Sequence, residues 1–268
     1  MCAALNIDIP ELTRSICDRH SGIGADGIVL LGPAPDADAS FRIYNSDGSE
    51  ATLSGNALRC AAAVLSSEKA YPPEHLQFST PVGLRSLDLV SHEGARWVFR
   101  AQMGRPEFSA AKIPFTPPEP PPEPIRDFPM PVGDTKFRAT VLFMGNPQCI
   151  LFLDDWDDFD WHWVGQALER HAYFPDRANI GFVRVLREDK IEARFWERGA
   201  GHTLASGTGS CACAVAAHLN GKTGRAVEVA LERGSMHVNW REDGVVELTG
   251  PAEVVAQGQY SYAAGGRA

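Results

Sequence analysis

Two serines stand in matching surroundings. Residues 52–64 read Thr-Leu-Ser-Gly-Asn-Ala-Leu-Arg-Cys-Ala-Ala-Ala-Val, and residues 203–215 read Thr-Leu-Ala-Ser-Gly-Thr-Gly-Ser-Cys-Ala-Cys-Ala-Val. Each has Thr-Leu, then Ser-Gly, a short polar stretch and Cys-Ala-x-Ala-Val, aligned with one-residue offsets on either side of Ser-Gly. A Ser-Gly pair opening a helix leaves backbone N–H groups pointing outward. Glycine lets a ligand approach them, and the helix dipole favours an anion there. The Ser-Gly pairs at Ser54-Gly55 and Ser206-Gly207 are therefore expected to suit a carboxylate or phosphate each. Serine is also a favoured helix cap, so either segment alone reads as an ordinary core helix. Recurrence of the whole pattern shifts the balance to function. Positions 54 and 206 are 152 apart, about one domain's length, which predicts two related lobes with the working cleft between them.

The elements that must hold these segments follow from pattern. Asp8, Pro10 and Glu11 predict a helix from there to about His20. Short apolar strands are expected at 28–31 and 41–44, then an Ala-rich helix from Gly55 to Leu65, then strands at 76–80, 84–90 and 96–101. The second half repeats the style. Strands are expected at 138–143, 149–153, 182–186 and 191–196, helices at 161–171 and 207–219, and strands near 227–231, 236–240 and 245–248. Strands outnumber helices, which predicts an α+β fold with mixed sheets, each around a central helix. Between Pro114 and Pro131 lie nine prolines, a density that excludes a helix or a central strand. The predicted division is an N-terminal lobe at 1–113, completed by 250–268, a connector at 114–132 and a C-terminal lobe at 133–249.

With 268 residues the chain can bury a substantial core. Its formal charge of −9 argues against nucleic acid and anionic membranes as partners. The start has no signal-peptide pattern, and no apolar run approaches the ~20 residues of a spanning helix. The six cysteines are scattered without metal-ligand spacing, which fits reduced thiols in the cytoplasm. The acidic run Asp154-Asp155-Trp156-Asp157-Asp158 lacks calcium-loop spacing and reads as a solvated turn, so no metal is expected.

Several stretches together resemble diaminopimelate epimerases over nearly the full chain. They are Cys17-Asp18-Arg19-His20 through GIGADG at 22–27, Asn45 to Cys60, Met144-Gly145-Asn146-Pro147, Asn179, and Trp196-Glu197-Arg198-Gly199-Ala200-Gly201 through Cys211. The resemblance implies a cofactor-free amino-acid epimerase of two pseudo-symmetric lobes, often dimeric and cytoplasmic. Such enzymes interconvert LL- and meso-diaminopimelate on the route to lysine and cell wall. One group removes the α-proton and another on the opposite face returns one. By resemblance Asn45, Asn56, Asn146 and Asn179 bind the ends of a diaminopimelate-like substrate. Gly55, Gly207 and Thr208 line the anion sites, and Glu197 and Arg198 bind substrate, with Glu197 also near the chemistry. Residues Cys60 and Cys211 match structural positions and should point into their helices.

Three features depart from the family pattern. Its two bases are cysteines, and they fall at Ser54 and Ser206. A thiol titrates near ~8.5, whereas a serine hydroxyl needs a strong neighbouring base to act. The family's His after Gly-Asn-Pro is Gln148, which hydrogen-bonds but takes no proton at neutral pH; His202 stands where Glu is usual. The family's opening strand is expected to be missing ahead of Met1. These departures open two alternatives to an epimerase: a binding homologue without catalysis, or another cofactor-free isomerase using Glu197 or Asp47 as base. A serine hydrolase is the weakest reading, since Ser206 lies in Ala-Ser-Gly and its nearest histidine is His202.

Overall fold

A computed structural model describes residues 7–51, 53–69, 72–157 and 159–262. Cys2, Thr52, Asp158 and residues 263–268 lie outside them.

The chain opens with α1 (Ile9–Cys17), capped by the Asp8 carboxylate, which accepts the Glu11 N–H at 3.0 Å. The helix ends at Cys17, three residues short of His20. The Asp18 carboxylate captures the N–H groups of His20 (2.9 Å) and Ser21 (2.6 Å), which competes with further helical bonding. Those bonds hold its carboxyl below the usual range. Then come β1 (Gly27–Gly32), β2 (Ala39–Asn45), β3 (Glu50–Ala51), α2 (Gly55–Ser67), β4 (His75–Thr80), β5 (Gly83–Glu93) and β6 (Arg96–Gly104). Next are β7 (Ile125–Val132), β8 (Thr135–Phe143) and β9 (Pro147–Phe152). The chain closes with α3 (Trp161–Glu169), β10 (Asn179–Arg187), β11 (Lys190–Glu197), β12 (Gly201–Thr203), α4 (Gly207–Leu219), β13 (Ala226–Ala230), β14 (Ser235–Trp240) and β15 (Val246–Glu253). The string from α1 to β6 recurs from α3 to β15: helix, two strands, a short strand, helix, three strands. The class is α+β.

The chain forms two compact units, one from Met1–Phe99 with Pro251–Ala268, the other from Arg100–Gly250. Strand order is β1-β2-β4-β5 in the first unit and β14-β13-β11-β10-β9-β8-β7 in the second, and strands β6 and β15 each run across a point where the chain is divided. In both, the helical hairpin unit has the same pairing. Strand β1 pairs β2 antiparallel and β2 pairs β4 parallel; β10 pairs β11 antiparallel and β11 pairs β13 parallel.

The proline-rich stretch departs from expectation. Residues 125–132 are strand β7 within the second unit, and the division falls at Phe99–Arg100 instead. Strand β7 lies at the end of the strand order and, among the described residues, pairs only β8. Pro129 and Pro131 share one parity along it, so their missing donors can face the open side without loss to the ladder. The Pro131 carbonyl accepts from His171 Nε2 at 2.9 Å.

In the second unit, α4 is the core. Cys211, Ala212, Cys213, Val215, Ala216 and Ala217 are all fully buried. The helix can sit so deep because nearly every side chain on it is small. In the first unit, α2 is buried on one side only, through Leu58, Arg59, Ala61, Ala62, Ala63 and Ser66. Cys60 and Val64, one turn apart, form its open stripe. Cys60 therefore does not point inward as expected, whereas Cys211 does. Burial pushes the Cys149 thiol up to about 12 and also raises Cys213. In a Cys2→Ser protein, a thiol reagent should label Cys60 alone under native conditions. All five remaining cysteines should react after denaturation. Rapid native labelling that survives Cys60→Ser would contradict this core.

Candidate active site

Both serines cap their helices. Ser54 has φ −139° and ψ 124°, and its Oγ accepts the Ala57 N–H at 3.3 Å. Ser206 has φ −134° and ψ 123°, and its Oγ accepts the Gly209 N–H at 3.1 Å. The short strands before the caps fix the equivalence. Ile43 pairs Ala51 and Tyr44 pairs Glu50, as Phe195 pairs Thr203 and Trp196 pairs His202. A single displacement of 152 positions maps all of these, and both serines, onto one another. The true repeat is therefore ungapped from strand to cap, and Ala51, not Thr52, corresponds to Thr203. Strand register overrides the local letter match, because a one-residue slip would turn each side chain to the opposite face.

The Ser206 half-site is the richer one. Its Oγ donates to Glu197 Oε1 at 2.6 Å, a charge-assisted bond of the strong class. Ser206 is buried, and the Ser210 hydroxyl closes on its carbonyl at 2.6 Å. Around it, the Asn179 side-chain Oδ1 accepts the Arg198 backbone N–H at 2.8 Å, and Arg198 Nη1 donates to the Asp176 backbone carbonyl at 3.0 Å. The Gln148 amide Nε2 donates to Asn146 Oδ1 at 2.6 Å and to Thr208 Oγ1 at 3.5 Å. Gln148 is fully buried, and among the described residues its Oε1 has no partner. One end of this unit's helix thus gathers Asn146, Gln148, Asn179, Glu197, Arg198, Ser206, Gly207 and Thr208.

The Ser54 half-site is barer. Asn45 ends β2, and its Nδ2 donates to Ser49 Oγ at 3.0 Å within the turn that follows. Asn56 Oδ1 accepts from Arg59 Nη2 at 2.6 Å, and Arg59 Nε reaches the Pro251 carbonyl at 3.3 Å. Gly55 is the first helical residue. Asp47 accepts from the Ser49 N–H (2.8 Å) and hydroxyl (2.6 Å), which hold its carboxyl below the usual range. It is committed to the turn.

Other candidates resolve simply. His202 Nε2 meets Glu232 Oε1 at 2.5 Å while Ser206 meets Glu197, so the pairing a hydrolase would use is not formed. Asp155 takes the N–H groups of Trp156 (2.6 Å) and Asp157 (3.5 Å), the behaviour of a turn.

Glu169, at the end of α3, had no signal in the sequence; Glu-Arg-His closing a helix looks like surface. Helix α3 lies so close to β11 that a Cβ on Gly165 would come 2.8 Å from Trp196 Cβ. That approach buries the Glu169 carboxylate, which accepts the Gly199 N–H at 3.1 Å and contacts Arg170 (3.3 Å) and Arg177 (3.4 Å). It pins the loop two residues beyond Glu197. Only the packing of α3 on β11 could reveal it.

The residues match the family model described as "Diaminopimelate epimerase" over 3–109 and 140–255. A diaminopimelate epimerase of Pelotomaculum thermopropionicum is 43% identical over 255 residues, 95% of this chain and 90% of that protein. One of Desulfitobacterium hafniense is 39% identical over 251 residues, 94% and 88% respectively. This chain belongs to the diaminopimelate epimerase family. At 14–15% identity, the solved structures of a Bacillus anthracis phenazine biosynthesis protein of the PhzF family and an Agrobacterium vitis hydroxyproline epimerase share the fold. Their TM-scores are 0.59 (92% of this chain, 89% of that one) and 0.61 (90% and 76%).

Two substitutions test this family member's site scaffold. Ala in place of Gly inside a helix usually stabilises by ~1 kcal/mol. At Gly209 the added Cβ would sit 2.8 Å from both Phe195 Cε1 and Ser206 Oγ. Gly209→Ala should instead destabilise by ~1–3 kcal/mol in urea unfolding; a gain in stability would refute the tight cap. Glu169→Ala strands the Gly199 N–H and should cost ~1–3 kcal/mol, with Glu169→Gln recovering much of it as an uncharged acceptor.

Proposed function

We propose that the chain is an amino-acid epimerase acting on diaminopimelate, without a cofactor, and that the Glu197–Ser206 pair is its proton-accepting group. The observation that carries this reading is the duplicated half-site, matched in register and cap geometry, with a carboxylate on one cap hydroxyl. Inversion at carbon needs a proton removed from one face and supplied to the other, and a doubled half-site supplies two groups for that task.

The helix start at Gly55 and Asn56 and the helix start at Gly207 and Thr208 each suit a carboxylate. They stabilise the negative charge that builds as the α-proton leaves. Asn45, Asn56, Asn146, Asn179 and Arg198 bind the substrate's polar ends. Ser206 works as a relay: its Oγ receives the α-proton while its own proton passes to Glu197 Oε1. A hydroxyl is too weak a base alone, and the carboxylate 2.6 Å away is what makes this step accessible. Gln148 orients Asn146 and Thr208 and carries no proton. The cytoplasm, where free thiols stay reduced, is the setting this reading implies, and a homodimer is its assembly.

Incubation with LL-diaminopimelate in heavy water, read by proton NMR and chiral chromatography, tests the proposal. The expected result is α-deuteration and formation of the meso isomer. Glu197→Gln should lower the rate ~10²–10⁴-fold, and Ser206→Cys should raise it, because a thiol ionises far more readily. Calorimetric binding of diaminopimelate with no exchange and no inversion at high protein concentration would instead make the chain a binding homologue, a reading favoured by serine at both caps.

A further inference from the structure

The ungapped repeat equates Asn45 with Glu197. Each ends its strand, and each lies nine positions before its cap serine. Resting on the epimerase reading above, we propose that the two half-sites are unequal proton carriers. The Ser206 half-site removes and returns an α-proton efficiently, and the Ser54 half-site does not. The chain therefore exchanges the α-hydrogen of one substrate stereoisomer with water, with configuration retained, much faster than it inverts either.

The chemistry of the two equivalent positions carries the argument. Glu197 offers an oxygen that can hold a proton, and it already accepts one bond from Ser206 Oγ at 2.6 Å. Asn45 offers an amide, which accepts no proton at neutral pH, and its Nδ2 is turned to Ser49 Oγ. The two carboxylates on the turn between Asn45 and Ser54 are spoken for. Asp47 holds the Ser49 N–H and hydroxyl, and Glu50 forms a two-point pair with Arg42 at 2.8 and 2.9 Å.

The exchange balances without any further reactant. The Cα–H bond breaks, the proton goes to Ser206 Oγ, and the serine's own proton goes to Glu197. The electron pair stays on the α-carbon and spreads into the carboxylate held at the helix start. The former α-hydrogen, now on the Ser206 hydroxyl, then trades with deuterium from solvent; that deuterium returns to the α-carbon as Glu197 gives its proton back to Ser206 Oγ, which forms a C–D bond on the same face. Inversion needs a proton delivered by Ser54, a hydroxyl whose equivalent of Glu197 cannot supply or replace one.

LL- and meso-diaminopimelate are each incubated with the full chain in heavy water, and deuterium content and configuration are followed in the same samples. One isomer should gain α-deuterium with retention ~10²-fold or more faster than it inverts, the size of effect a general base supplies. The other should show no exchange ahead of inversion. Glu197→Gln should abolish the fast exchange. Asn45→Glu, on an exposed strand end, should raise exchange of the slow isomer by at least ~10-fold. Comparable exchange of both isomers, or deuterium confined to inverted product in both directions, overturns the inequality and leaves the epimerase reading standing. A folded Asn45→Glu protein with an unchanged slow isomer overturns the role of position 45. Absence of both exchange and inversion sinks the epimerase reading with it.

Discussion

The hydroxyl of Ser206 sits at the junction on which the second unit depends. Helix α4 is buried from Gly209 to Ala217, so the Gly209 N–H, which has no intrahelical partner, must find one within the protein. Ser206 accepts it and donates its own hydroxyl hydrogen bond to Glu197. Glycine at 209 lets Phe195 and the cap oxygen close in on the helix start. The hydroxyl that caps the helix thus also joins a carboxylate at its positive end.

That carboxylate is held from behind. Glu197 is the last residue of β11, and the chain then turns through Gly199 to β12. The turn is tied by Asn179 to the Arg198 N–H and by Glu169 to the Gly199 N–H. Buried carboxylates are costly unless bonded, so Glu169 marks a place where the fold spends stability to fix a loop. At the corresponding turn of the first unit Asn45, Asp47 and Ser49 bond one another, and the exposed Arg14 of α1 reaches the Asp47 carbonyl at 3.3 Å.

The relatives give the chain its family, and the serine caps give it its particular problem. A thiol can ionise by itself when its surroundings favour it; a hydroxyl must borrow basicity. Only one of the two half-sites has a carboxylate at the position from which to lend it. The phenazine-biosynthesis and hydroxyproline-epimerase structures share the fold at 14–15% identity, so the architecture accommodates sequences that have diverged widely.

The sequence by itself determined the repeated segments, the element types and the family. Small residues at Cys211 to Ala217 marked a buried helix, the two serines were visible as candidates from the repeat, and Asn45 and Glu197 from the resemblance to the family. Local pattern misjudged three points: the alignment offset at Thr52, the inward turn of Cys60 and the proline-rich strand β7. In each case the deciding term was a partner distant in sequence. Hairpin register set the true repeat, the one-sided burial of α2 left Cys60 outside, and the edge position of β7 removed the penalty on its prolines. Glu169 and the Glu197–Ser206 bond belong to the same class. Hydrogen bonds between side chains from different elements leave no periodicity in the chain, so only the packed structure could decide that the two serines, alike in sequence, differ in what stands beside them.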